Sequence, residues 1–196
     1  MTIDWKALCK RAHENAKAKG FLDKARTYHG DTALFHSELS EALEDYRKGE
    51  SLTEPYYEVR SIKLTKEQRA ISTEPPADEV AAWKPCGIPT ELADYCIRLA
   101  QYSGSNDLDL AEAYRIVQPL KPAKGFEELI SRLHLHTSKA YEDFLHSERI
   151  NEYQLGLALR LLIQFCEDNK IDLEAAITEK EAFNATRSYR HGNKKI

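Results

Sequence analysis

No hydrophobic run in the sequence is long enough to cross a membrane. The most apolar stretch, Leu155 to Cys166, is interrupted by Arg160 and Gln164, whereas a membrane-spanning helix needs about 20 predominantly apolar residues. Charged residues also occupy the N-terminal positions where a secretory signal would have its apolar core. We therefore expect a cytoplasmic protein in which residues 155–166 form a buried helix.

Cysteine is scarce, and its spacing fits neither a disulfide framework nor a zinc site. The four cysteines include no Cys-x-x-Cys pair, so we expect reduced thiols in a cytosolic protein. The chain also lacks a P-loop, a Gly-x-Gly-x-x-Gly dinucleotide motif and a Gly-x-Ser-x-Gly nucleophile motif. No segment carries the Glu-x-x-His pair of a ferritin-like di-iron bundle. These absences argue against the enzyme classes that depend on those motifs.

The charges of the chain are nearly balanced but unevenly distributed. The 196 residues carry a net charge of −4, which gives no general attraction to nucleic acid or to an anionic membrane. Residues 180–196 nevertheless hold five Lys or Arg against one acid. We expect neither a nucleic-acid nor a membrane partner. The length fits one large or two small domains.

Two predicted helices each carry acids three residues apart, Glu38 and Glu41 on the first and Glu91 and Asp94 on the second. Apolar residues recur every three or four positions around each pair, which indicates amphipathic helices. Acids at this spacing leave a helix on one face. Four carboxylates that face one point suit Mg²⁺ or Mn²⁺. Glu44, three residues beyond Glu41, is a candidate outer ligand or general base.

The rest of the chain is also predicted to be mainly helical. Asp31 and Thr32 would cap the helix that carries the first acid pair. The proline-containing segment 50–86 interrupts the helical pattern and indicates an irregular insertion with room for one short strand or helix. Such an insertion could be a lid, an oligomer arm or a decoration. We expect an all-α fold with helical units at 1–118 and 119–196, packed as one compact domain.

The two halves of the sequence resemble each other. Residues 40–46 align with 138–144 at an offset of 98, whereas the segments after Glu91 and Asp109 recur at an offset of 63. The offsets differ by about the length of the insertion, which indicates a duplication in which only the first copy kept it. Chance similarity between amphipathic helices is the alternative. In the second copy the four acids are replaced by His136, Lys139, Gln154 and Leu157, so this copy is expected to bind no metal.

A basic helical face precedes the C-terminus. Lys180, Asn184 and Arg187 follow one another at steps of four and three, and Arg190 and Lys194 come after them. Cations beside a carboxylate-bound Mg²⁺ suit a polyphosphate, because the metal bridges some oxygens while Lys and Arg neutralise the others. A frayed basic terminus is the alternative.

These segments resemble the all-α NTP pyrophosphohydrolase superfamily, which includes the MazG-like and dimeric dUTPase-like proteins. The similarity lies in His-Ser-Glu-Leu-Ser-Glu-Ala-Leu-Glu at 36–44, Lys-Pro-Cys-Gly-Ile-Pro-Thr-Glu-Leu-Ala-Asp at 84–94 and the basic pattern at 180–194. The resemblance implies a MazG-like helical bundle and Mg²⁺-dependent hydrolysis of a nucleoside triphosphate to the monophosphate and pyrophosphate. It implies that His13 and Phe21 face the base or sugar, and it leaves a homodimer open.

Two other interpretations stay open at this point. The chain could be a catalytically silent nucleotide-binding or regulatory all-α module. It could also be a helical scaffold whose acids are only a solvated surface.

Overall fold

Most of the chain is helical, and the helices lie close to where the apolar spacing predicts them. The computed structural model describes residues 3–24, 26–59, 62–71, 83–106 and 108–189. These residues form, in chain order, α1 (Trp5–Ala18), α2 (Tyr28–Arg47), β1 (Tyr56–Val59), β2 (Ile62–Thr65), α3 (Lys66–Ile71), β3 (Lys84–Cys86), α4 (Ile88–Ser105), α5 (Leu110–Ile116), α6 (Phe126–Ser147), α7 (Glu152–Asp168) and α8 (Leu173–Thr186).

Short polar side chains start most of these helices. Five of them accept a hydrogen bond from the backbone N–H three residues further on: Asp4, Thr27, Asp109, Asn151 and Asp172. Such N-caps satisfy an otherwise unpaired donor of the first turn. Helix α2 therefore begins at Tyr28, and the prediction that Asp31 and Thr32 cap it is wrong, because both lie buried inside the helix.

Helices α4 and α7 form the centre of the fold. Helix α4 packs against α1, α2 and α8, and α7 packs against α5 and α6. From Leu155 to Cys166 every residue except Arg160 and Gln164 is buried, which confirms the predicted buried helix. None of the helices in the described ranges is long and apolar enough to cross a membrane.

Helices α2 and α6 pack antiparallel through reciprocal contacts. The rings of Tyr28 and Phe144 lie 4.8 Å apart, and those of Tyr46 and Phe126 also lie 4.8 Å apart. The two contacts are equivalent under the offset of 98, because Tyr28 corresponds to Phe126 and Tyr46 corresponds to Phe144. Between them the rings of His36 and His134, two residues at the same offset, meet edge to edge in nearly parallel planes, with ring centres 5.0 Å apart. The packing of α2 on α6 is therefore approximately two-fold symmetric about this histidine pair.

The insertion is more regular than its sequence predicts. Strands β1, β2 and β3 form a three-stranded antiparallel sheet in the order β2-β1-β3, with α3 following β2. The all-α prediction thus holds for the body of the chain, whereas the insertion adds a small sheet. Strand β3 leads through Gly87 directly into α4, so this sheet adjoins the second acid pair.

Helices α5 and α7 approach each other closely at Gly156. A Cβ atom on Gly156 would overlap the carbonyl oxygen of Ala113 and lie 3.1 Å from Cγ1 of Val117. The absence of a side chain therefore permits this backbone contact. A Cβ atom on Gly125, at the start of α6, would meet only the flexible end of Glu127, at 3.4 Å.

We expect Gly156→Ala to lower the free energy of unfolding by about 1–3 kcal/mol, because overpacking against α5 outweighs the roughly 1 kcal/mol that alanine gains in helix propensity. Gly125→Ala is the control and should change it by less than about 0.5 kcal/mol. Urea denaturation followed by circular dichroism measures both. Wild-type stability in Gly156→Ala would contradict the close contact.

Candidate functional site

Three acids from two helices meet in the interior. One carboxylate oxygen each from Glu38 on α2 and from Glu91 and Asp94 on α4 lie within 4.8 Å of one another. Glu38 and Glu91 are buried, and Asp94 is half-buried. A solvated acidic surface would not place carboxylates in the core, so the cluster does not fit the interpretation of these acids as only a solvated surface. We call Glu38, Glu91 and Asp94 the acid cluster.

The start of α4 determines where two of these acids lie. Gly87 has φ of +100°, a conformation that side-chain-bearing residues rarely adopt, and it turns the chain from β3 into the helix. The hydroxyl of Thr90 then donates to the carbonyl oxygen of Cys86 at 3.2 Å. Glu91 consequently falls in the first turn of α4, where the helix dipole favours negative charge.

Two buried or half-buried cations pair with the cluster. Nε of Arg98, one turn after Asp94, donates to Oε1 of Glu38 at 2.9 Å. Nζ of Lys180, on α8, lies 2.8 Å from Oδ2 of Asp94. Burial favours the neutral amine of Lys180, yet Asp94 and Glu91 hold its pKa above the usual value. The predicted contribution of the basic C-terminal helix to the acid site is therefore present in Lys180.

Burial changes the protonation of the acids. It raises the pKa of Glu91 to about 8, a shift that Lys180 opposes and that the neighbouring carboxylates increase. Burial also raises the pKa of Glu38, with Asp94 adding to the shift and Arg98 opposing it. Carboxylates crowded in this way favour either a proton or a cation between them. The oxygen-only donor set fits a hard divalent ion such as Mg²⁺.

Glu41 and Glu44 lie outside the acid cluster. Glu41 is exposed and accepts a hydrogen bond from Oγ of Ser37 at 3.0 Å. It is still close enough to raise the pKa of Glu38 and Glu91. Glu44 is exposed and pairs with Arg47 at 3.3 Å. The predicted set of four ligands thus becomes three with Glu41 at the rim, and Glu44 is turned to its own helix surface.

The remaining predicted site residues are only partly brought together. Burial lowers the pKa of Arg187, an effect that Asp94 opposes and Arg98 increases, and its guanidinium carbon lies 5.7 Å from the centre of the Phe183 ring. The backbone carbonyl of Asn184 accepts from the backbone N–H of Arg187. Phe21 is half-buried after α1. Arg190 and Lys194 fall outside the described residues.

His13 lies at a separate cavity, beyond the other end of α4. Its Nδ1 is 3.0 Å from Oγ of Ser105, and the cavity beside it measures about 320 Å³. Arg26 and Gln101 also line this cavity. Nη2 of Arg26 lies 2.5 Å from Oδ1 of Asp31. Nε and Nη1 of Arg26 are buried and have no hydrogen-bond partner among the described residues.

A polar face of α4 connects the cluster with this cavity. It consists of residues at steps of three and four: Glu91, Asp94, Arg98, Gln101 and Ser105. On α2, buried acids recur every seven residues at Asp31, Glu38 and Asp45. The two acid pairs alone predict no site role for Arg98 or Gln101, and Asp31 is predicted only as a helix cap. Continuing the helical spacing beyond the two pairs identifies all three.

No protein-family model, curated protein or solved structure matches the chain. Functional inference therefore rests on the residues of the site and their geometry.

We expect the protein without divalent cations to become less stable as the pH rises from the usual pKa of Glu91, 4.5, to its folded value of about 8. In this interval the unfolded chain has released a proton that the folded chain retains, so the free energy of unfolding falls with rising pH. Glu91→Gln should remove this pH dependence. At pH 8 its free energy of unfolding should exceed that of the wild type by on the order of 2–4 kcal/mol.

Urea denaturation in EDTA at several pH values measures the effect. Glu174→Gln, which changes an exposed acid on α8, is the control and should keep the wild-type pH dependence. The same dependence in Glu91→Gln would contradict the raised pKa.

Proposed function

We propose that the chain is a Mg²⁺-dependent nucleoside triphosphate pyrophosphohydrolase, which cleaves an NTP or dNTP to the monophosphate and pyrophosphate. The observation that supports this most is the acid cluster with ligand oxygens within 4.8 Å, flanked by Arg98 and Lys180. Oxygen ligands for a hard metal and cations for phosphate oxygens are what phosphoryl chemistry requires. The resemblance of these segments to all-α pyrophosphohydrolases agrees with this chemistry.

In this proposal Glu38, Glu91 and Asp94 hold Mg²⁺, or Mn²⁺ in its place. The bound ion supplies charge neutralisation and a water of lowered pKa. To act as a ligand, Glu91 would have to lose its proton to solvent. Arg98 and Lys180 would then leave the carboxylates of Glu38 and Asp94 and bind phosphate oxygens of the substrate. Arg187 would also bind the phosphate.

Water attacks the α-phosphorus, and the bond from that phosphorus to the bridging α–β oxygen breaks. Glu41 is the acid best placed to accept the proton of this water, because it is exposed beside the cluster and uses one oxygen for Ser37. Glu44 is less suited to this role because it pairs with Arg47 on its own helix.

The nucleoside would lie toward the His13 cavity. Gln101 is seven residues beyond Asp94 on the same face of α4, which corresponds to about 10 Å along a helix. A metal-bound triphosphate and its base are separated by a similar span. His13, Phe21 and the amide of Gln101 are then the candidates for contacts to base and sugar.

The proposal includes two degenerate copies of one helical unit, with α2, α4 and α5 corresponding to α6, α7 and α8. The reciprocal packing of α2 on α6 supports it. Helix α4 packs on α8, and α7 packs on α5. Because α4 corresponds to α7 and α8 to α5, these two contacts are equivalent. At the positions of Glu38 and Glu91 the second unit has His136 and Gln154, whose side chains are hydrogen-bonded at 2.9 Å. The proposal is therefore one metal site per chain.

A catalytically silent nucleotide-binding or regulatory module is the second candidate. The ion pairs of Glu38 with Arg98 and of Asp94 with Lys180 balance the charges of the cluster without a metal. A protein that only binds a nucleotide could use the same cations. We also propose a cytoplasmic location, since all four cysteines are free thiols.

Pyrophosphate release, measured across the common NTPs and dNTPs with Mg²⁺, tests the activity. We expect Glu38→Gln and Asp94→Asn each to lower the rate by roughly 100-fold or more, because each removes a metal ligand. Glu142→Gln, an exposed acid on α6, should retain the wild-type rate. Nucleotide binding with no pyrophosphate release by the wild type would favour the silent module instead.

Replacing Arg187 tests the phosphate-binding role of the C-terminal region. Arg187→Ala should weaken triphosphate binding by roughly tenfold while changing Mg²⁺ affinity less, because the guanidinium meets phosphate rather than metal. The control is Arg115→Ala, which removes an exposed arginine from α5. Calorimetric titrations with Mg²⁺ alone and with Mg²⁺ plus tripolyphosphate measure both affinities. Equal loss of the two affinities would contradict the assignment.

A further inference from the structure

The sheet of the insertion contacts α8 at two consecutive residues. Tyr57 and Pro85 are cross-strand partners on β1 and β3. The Tyr57 hydroxyl lies 2.9 Å from both carboxylate oxygens of Glu179. Nζ of Lys180 donates to the carbonyl oxygen of Pro85 at 3.5 Å. The paired strand residues Tyr57 and Pro85 therefore both contact the turn of α8 that carries Lys180.

Helix α3 holds the same turn from a second side. Nη1 of Arg69 lies 2.5 Å from Oε1 of Glu179, and its guanidinium carbon lies 4.2 Å from the centre of the Tyr57 ring. Tyr57 is 2% exposed. An ion pair that rests on a buried aromatic ring is more restricted than an ordinary surface pair. We call Tyr57, Arg69 and Glu179 the clamp.

The clamp is continuous with the start of α4. Its strand β1 pairs with β3, and β3 passes through Gly87 into the helix that carries Glu91 and Asp94. The same sheet thus touches the elements on both sides of the ion pair between Lys180 and Asp94. Helix α8 packs directly on α4, and the sheet contacts both helices beside this ion pair, whose side chains lie 2.8 Å apart.

We propose that Tyr57, Arg69 and Glu179 are positioning residues, which fix the backbone of α8 so that Lys180 reaches the acid cluster and a bound polyphosphate. This inference rests on the proposed function, in which Lys180 leaves Asp94 for a phosphate oxygen. A lysine ammonium moves easily on its four-carbon stem, but it reaches two defined positions only from a fixed backbone. The sheet and α3 of the insertion are then part of the frame of the active site.

A double-mutant cycle separates this role from general stabilisation. Glu179→Gln should weaken binding of inorganic tripolyphosphate, measured with Mg²⁺ by calorimetry, by roughly tenfold in the wild-type background. In a Lys180→Met background the same change should cost less than about twofold, because the residue it acts through is gone. Equal losses in both backgrounds, or no loss in the first, would overturn the inference.

Two further variants keep the test independent of folding defects. Tyr57→Phe removes only a hydroxyl and should weaken tripolyphosphate binding in the same direction as Glu179→Gln. Glu174→Gln lies on the same helix but is exposed and away from the clamp, so it should bind as the wild type does. Circular dichroism melts verify that each variant is folded. Wild-type binding by Tyr57→Phe would count against the clamp.

Chemical labelling tests the position of Lys180 in a way that depends neither on catalysis nor on ligand binding. Lys180 is 3% exposed. We expect an amine-specific reagent to modify it roughly tenfold faster in Glu179→Gln than in Glu174→Gln. The folded protein is labelled first, and mass spectrometry of its peptides then measures the modification. Equal labelling rates would refute the positioning role alone. Failure of the wild type to bind tripolyphosphate would refute the proposed function, whereas the labelling rates would still decide whether the clamp positions Lys180.

Discussion

Two interior ion pairs, Glu38 with Arg98 and Asp94 with Lys180, constrain how α2, α4 and α8 can pack. A charge taken out of water is costly, and breaking a buried pair leaves a charge without compensation. Each pair connects different elements, since Glu38 lies on α2, Lys180 on α8 and their partners on α4. The three helices cannot shift independently without separating charges in the core. The packing of this half of the molecule is therefore determined by electrostatics as well as by apolar burial.

The proposed duplication pairs these charged positions with neutral ones in the second half of the chain. If the halves are copies, as proposed, the positions of Arg98 and Lys180 correspond to Leu161 and Val117, both buried. Acids and cations have then been replaced together by neutral groups. Physical chemistry favours such joint replacement, because one remaining charge of a set would be buried without a partner. Apolar packing and a single neutral hydrogen bond take over the role of the ion pairs.

Features encoded by local spacing were predictable from the sequence, and features that depend on distant contacts were not. The acids of α2 and α4 and the buried helix α7 follow from residues within a few turns of each other. The sequence does not predict the sheet of the insertion, because strands of three or four residues are too short to show a clear alternation. Strands β1 and β2 pair locally, but β3 joins them from about twenty residues further along the chain. The spacing predicts Glu41 as a ligand because acids three residues apart can share a helix face, but spacing alone does not fix which acid turns inward. Arg98 was overlooked because a cation on an acidic helix face resembles an ordinary surface pair until its burial is known.

The contact between His36 and His134 prevents the centre of the α2–α6 interface from being fully symmetric. Their Nδ1 atoms lie 2.7 Å apart, and a hydrogen bond between two ring nitrogens requires a proton on one and a lone pair on the other. Burial lowers the pKa of both rings, which favours the neutral forms. The pair must then adopt one of two tautomeric arrangements. A proton added to the free nitrogen of the donor ring keeps the hydrogen bond, whereas a second proton, on the acceptor Nδ1, would eliminate it. Even two identical helices facing each other here would differ in chemical state, with one imidazole as donor and the other as acceptor.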